Sequence, residues 1–152
     1  MRIIQGIVCA ALGLLLSVTS SPGATLAVQD AWIREAPPTA SVLAAYMVIS
    51  NTGESPVGIT AIASPDFELT ELHRTIVESG VARMVPIEKL EIPAGDTISL
   101  DPGGIHLMLI NPLHPLRAGD TVTLIIHGTD GSSTTLPVPV VRETGEVVHQ
   151  HH

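Results

Sequence analysis

Thiol chemistry is almost absent from this chain. Its one cysteine, Cys9, lies inside an apolar N-terminal run with no Leu-x-Gly-type lipobox before it. Once that run is removed, neither a thiol nor a disulfide remains, so core packing alone must hold the protein together. Thiol redox chemistry and a blue-copper centre, which needs a thiolate ligand, are both excluded. Basic residues are scarce too. Discounting Arg2, 6 Lys and Arg face 15 Asp and Glu, a net charge of −9 with neutral histidines. Such a surface repels nucleic acid and anionic lipid, and neither is an expected partner. It favours cations and basic protein patches, although scattered acidic residues also serve ordinary solubility. No segment keeps a helical period for three turns, and no Gly-rich phosphate loop precedes a helix. The Ser, His and Asp residues form no nucleophile motif, so the chain is expected not to be an enzyme.

The N-terminus has the pattern of a secretory signal peptide. Met1-Arg2 is followed by mostly apolar residues from Ile3 to Val18, then by small residues up to Ala27. Cleavage is expected after Ala27, with Thr25 at −3, or after Gly23. About 16 apolar residues is short for a membrane span, so export to the periplasm with no span after cleavage is expected. Residues 1–27 are assigned to the signal peptide, 28–142 to one domain and 143–152 to a polar tail.

The domain reads as β throughout. Strand-like runs cover Ser41–Ser50, Val57–Ala63, Glu68–Val77, Val81–Ile87, Thr97–Leu100, Ile105–Ile110, Thr121–His127 and Thr134–Val141. Turn signals separate them: Asn51-Thr-Gly53, Ser79-Gly80, Pro93-Ala-Gly95, Asp101-Pro-Gly-Gly104 and Asp130-Gly131. Short strands at this spacing indicate an all-β sandwich or Greek-key barrel. Ala31–Ala45 has room for one helical turn, and Pro37-Pro38 forbids more.

Two histidines and two methionines stand out: His73, Met84, His106 and Met108, spaced His-x10-Met-x21-His-x-Met. Thioethers are poor ligands for hard cations and good ones for Cu(I), and imidazole suits copper in either oxidation state. His106 and Met108, two apart in a strand, share one face about 7 Å apart, while Leu107 and Leu109 share the other. His73 and Met84 flank a hairpin. A two-residue Glu78-Ser79 loop would set residue 73 opposite 84, whereas a three-residue loop with a bulge at Gly80 would shift the register by one. Each residue has a plain alternative, Met as a gap-filling core residue and His as a surface or hydrogen-bonded one. Met47 is expected in the core and Trp32 in core or rim packing, with His114 and His127 as exposed bystanders.

The four-residue pattern resembles, without a gap, the signature of the periplasmic PCu(A)C-type copper chaperone family, which supplies the CuA centre of cytochrome c oxidase. The flanking blocks are similar too: Asp30-Ala-Trp-Ile-Arg-Glu-Ala-Pro-Pro38, Ala44-Ala-Tyr-Met47, Glu71-Leu-His73, Leu90-Glu-Ile-Pro-Ala-Gly95, Pro102-Gly-Gly104-x-His-Leu-Met108 and Leu116-x-x-Gly-Asp120. The likeness runs from about Val28 to Val141. It implies a cupredoxin-like fold holding one Cu(I) through His73, Met84, His106 and Met108, and a copper-accepting partner such as cytochrome c oxidase subunit II or its assembly factors. The chain is expected to be a monomer. One departure is Arg74, where many members carry Met directly after the first histidine; it sets a positive charge beside the site. A secondary metal site at His149, His151 and His152 is a further expectation, against a plain polar tail.

Three readings compete at this stage. The first is a Cu(I) carrier, with periplasmic copper storage or tolerance as its variant. The second is a cupredoxin-like electron carrier or copper oxidase, opposed by the missing cysteine and the lack of further His clusters. The third is a metal-free β-sandwich for adhesion or envelope assembly.

Overall fold

β-branched and apolar residues alternate with small or polar ones between Gly- and Pro-bearing turns. In the computed structural model, which describes residues 25–143, this patterning gives ten strands. They are β1 (Leu26–Arg34), β2 (Val42–Asn51), β3 (Val57–Ala63), β4 (Phe67–Glu78), β5 (Val81–Pro86), β6 (Leu90–Ile92), β7 (Thr97–Leu100), β8 (Ile105–Pro112), β9 (Thr121–Gly128) and β10 (Ser133–Val141). No helix occurs among the described residues.

The ladder runs β5-β4-β8-β2-β1-β10-β9-β3-β6, and β7 continues along β2 where β8 ends. Every pairing is antiparallel except β1 with β10, where Ile33 and Arg34 meet Val140 and Val141 in parallel. This short parallel join turns the path from one half of the fold into the other. Inward residues of both halves, among them Ile33, Ala45, Leu72, Leu107 and Leu109 from the first and Ile59, Leu124, Ile126 and Val138 from the second, form one buried cluster. Each fully buried Leu or Ile contributes about 1.5–3 kcal/mol, and these supply the cohesion that a disulfide-free domain needs. Asn51 is the other buried polar residue besides His106 among the described residues. Its amide donates to the Ser55 and Ile92 carbonyls and accepts from the Gly53 N–H, tying the end of β2 to β6.

Two strands are absent from the sequence expectation. β6 has three residues, too few for any alternation to show. β1 begins at Leu26, inside the stretch assigned to the signal peptide, yet Leu26 is buried and Ala27 pairs with Ser50. Of the two expected cleavage points, only Gly23 lies outside the strand. The room for a helical turn in Ala31–Ala45 is taken instead by the end of β1 and a turn in which the Ala40 N–H donates to the Pro37 carbonyl.

Candidate metal centre

The hairpin between β4 and β5 closes on Ser79-Gly80, with φ of +52° and +78° and Glu78 opposite Val81. Positive φ at both central residues is the two-residue loop whose twist suits paired strands. Neither expected register occurs. His73 stands opposite Pro86, and Thr75 opposite Met84. The displacement from the first expectation is two residues, and side chains repeat every two, so Met84 still lies on the face that carries His73.

Between β4 and β8 the register pairs His73 with His106 and Glu71 with Met108. Leu72 and Leu107 pair between them and point to the core, so His73, Met84, His106 and Met108 all occupy the opposite, outer face. That placement separates the core methionine from the candidate ligands. Met47 is 1% exposed and belongs to the core, whereas Met84 is 56% exposed on the sheet's edge strand and Met108 is half-buried. Met84, His106 and Met108 line one cleft of about 410 Å³, together with Arg34, Tyr46 and Thr75. His73 is not in that lining. It adjoins His106 across the ladder, with ring centroids 6.1 Å apart.

Each histidine has one nitrogen engaged and the other free. His106 Nδ1 donates to the Gly104 carbonyl at 3.1 Å, and His73 Nε2 lies 2.8 Å from Glu71 Oε2. His106 Nε2 and His73 Nδ1 are buried without a partner. Buried polar atoms are nearly always paired, so two orphans on facing imidazoles require an explanation. Of the other two such atoms among the described residues, Thr134 Oγ1 lies on β10, and Arg34 Nε is 2.9 Å from Glu143 Oε2 in an ion pair. Among the described residues no three His, Cys, Asp or Glu side chains converge as a metal site. The donor set is imidazole plus thioether, suited to a soft ion.

The sequence reading missed the wall beside the cleft. Asp30, at φ +52°, forms a bulge in β1 that shifts its register on β2 between Gln29 and Trp32. Before the bulge Leu26 and Val28 stand opposite Asn51 and Ile49; beyond it Ile33 stands opposite Ala45 and turns inward, and Trp32 turns outward opposite Tyr46. A bulge re-aims side chains in this way, and Asp tolerates the left-handed conformation, but no sequence signal marks the position. The Trp32 and Tyr46 rings pack with centroids 4.8 Å apart, tilted by 42°, and the Arg34 guanidinium is 5.8 and 5.4 Å from those centroids.

Arg74 follows His73 in the strand and therefore points to the other face, opposite Ile105. Its charge does not enter the cluster. His114 is no bystander: its Nε2 lies 3.1 Å from Asp66 Oδ1, and the other Asp66 oxygen accepts the Thr123 N–H. Burial pushes the Asp66 carboxyl up, but these hydrogen bonds outweigh it and hold the group below its usual range. The Asp66 contact raises His114. His127 meets the Ser133 hydroxyl at 3.5 Å. His149, His151 and His152 lie outside the described residues.

Comparison with known proteins gives consistent matches. The family described as "Putative lipoprotein LpqE-like" matches residues 26–140. The "Putative lipoprotein Lxx21020" of Leifsonia xyli subsp. xyli is 32% identical over 114 residues, 74% of this chain and 68% of that one. Among solved structures, DR1885 of Deinococcus radiodurans in its apo form is 27% identical with a TM-score of 0.61, covering 93% of this chain and 95% of that one. Its Cu(I) form is 26% identical, with a TM-score of 0.58 and 84% of each chain covered. The copper-bound PCuAC domain from PmoF2 has a TM-score of 0.66 at 16% identity, over 78% of this chain and 94% of that one, a likeness of fold.

Proposed function

The chain belongs to the LpqE-like, or PCuAC, family, and on that premise we propose that it is an exported copper carrier. It binds one Cu(I) through His73, Met84, His106 and Met108 and passes it to a copper-accepting protein. The observation that carries this reading is the pair of orphaned nitrogens, His73 Nδ1 and His106 Nε2, on imidazoles paired across the ladder, with Met84 and Met108 on the same outer face. An ion about 2 Å from a ring nitrogen sits about 3.2 Å from the ring centre, so two imidazoles sharing it stand up to about 6.4 Å apart. The separation of 6.1 Å fits inside that limit. Copper at such a site also supports the proposal through the likeness to DR1885, whose Cu(I) form has been solved.

Four neutral donors suit carriage rather than storage. None of the four donors is itself an anion, and an acceptor offering a thiolate can displace them one at a time. Met84, exposed on the edge strand, is the ligand an acceptor reaches first. The CuA site of cytochrome c oxidase subunit II, or an assembly factor serving it, is the acceptor proposed, in the periplasm. A leader ending at Gly23 would deliver β1 intact. The metal-free sandwich reading is disfavoured because it leaves two buried nitrogens and an exposed Met84 without a role.

The test is anaerobic titration of the purified protein with Cu(I) against a calibrated chelator. One tightly held equivalent is expected, with no intense visible thiolate band when Cu(II) is added instead. Failure to compete with the chelator would overturn the carrier.

A further inference from the structure

We propose that Glu71 is a positioning residue that commits His73 to meet the metal through Nδ1, while the backbone commits His106 to Nε2. The inference deepens the copper reading above and rests on it. The Gly104 carbonyl can only accept, so the His106 nitrogen facing it, Nδ1, must carry the proton and Nε2 must hold the lone pair. The Glu71 carboxylate likewise accepts. The His73 nitrogen at 2.8 Å from its oxygen, Nε2, is then the N–H, and the lone pair falls on the buried, partnerless Nδ1. The two facing rings thus offer opposite nitrogens. One is set by the main chain and the other by a side chain that substitution can remove.

Glu71 can do this because it sits two residues before His73 on the outer face of β4, opposite Met108. From there its carboxylate reaches the far nitrogen of the ring. It is 42% exposed and contributes nothing to the core, so its pairing with His73 is not needed to hold the fold. A carboxylate behind a ligating imidazole fixes the ring and raises its basicity, and removing such a partner typically weakens metal binding 10–100-fold.

The test uses imidazole 15N spectra of the full protein, apo and after Cu(I) loading, which keeps the sample diamagnetic. In the apo protein His73 should show an Nε2–H and His106 an Nδ1–H. On loading, the His73 Nδ1 and His106 Nε2 resonances should move while both N–H groups persist. Glu71→Ala should lose the protected His73 Nε2–H signal and weaken Cu(I) binding about 10–100-fold with an unchanged unfolding midpoint. Glu71→Gln, whose amide oxygen still accepts, should recover much of the affinity. An Nδ1–H on apo His73, metallation of His73 at Nε2, or wild-type affinity in Glu71→Ala would each overturn the proposal. The apo spectra decide the Glu71 pairing even if the wild type fails to bind Cu(I), an outcome that would instead refute the carrier.

Discussion

Thr75 stands opposite Met84 in the ladder between β4 and β5, two steps along the strand from His73. The even offset keeps Met84 on the ligand face, and the Ser79-Gly80 loop sets it. Serine at φ +52° is strained where asparagine is at ease, and Asn-Gly is the preferred pair for this loop. Ser79→Asn should therefore stabilise the protein by about 0.5–1 kcal/mol, read from the denaturant midpoint, with Cu(I) affinity unchanged.

The thioethers can be tested directly. Leu is nearly isosteric with Met, Met84 is exposed, and Met108 lies on the outer face, so replacing both should cost less than about 1.5 kcal/mol of stability. Tight Cu(I) binding should nevertheless be lost in a chelator competition. A double variant that binds as the wild type does would remove methionine from the site.

Eight of the ten strands were legible because Val, Ile and Thr runs lie between strong turn residues, and the shared face of His106 and Met108 follows from alternation alone. Other features left weaker traces. Leu26 and Ala27 belong to a strand that continues directly from a leader-like run, so the composition carries no break there. The hairpin register hangs on one residue of loop placement, which Glu78-Ser79-Gly80 does not specify. The Asp30 bulge and the Gly104 and Glu71 contacts with the histidines depend on the folded backbone. Met47 reads as core from its apolar strand and is buried, whereas only the fold shows that Met84 shares the outer face with His73.

His114 and Asp66 give the fold a pH dependence of its own. The raised His114 stabilises the folded state in full below its ordinary value of 6.5, and this contribution fades as pH climbs through the raised one. The lowered Asp66 stabilises above 3.8 and loses its effect as pH falls through the lowered one. The pair therefore contributes most between those two values. His114→Gln should be less stable than the wild type in urea at about pH 5–6, and the gap should narrow above neutrality. A gap of constant size from acid to alkaline pH would show that His114 acts by packing alone.

Copper affinity should respond to pH through the histidines and not through the methionines. Protons compete with the metal for an imidazole nitrogen, whereas a thioether does not titrate. Apparent Cu(I) affinity should fall as the solution is acidified, with a limiting slope of up to two protons per ion if both His73 and His106 ligate. Replacing either histidine by Gln should reduce that slope by about one proton, the same for both, because the two rings face one ion. Met84 and Met108 should leave a weak affinity that no longer changes at the acid end. Competition with a chelator, corrected for its own protonation, measures all three. A flat profile in the wild type would leave the methionine pair alone, too weak a site for a carrier.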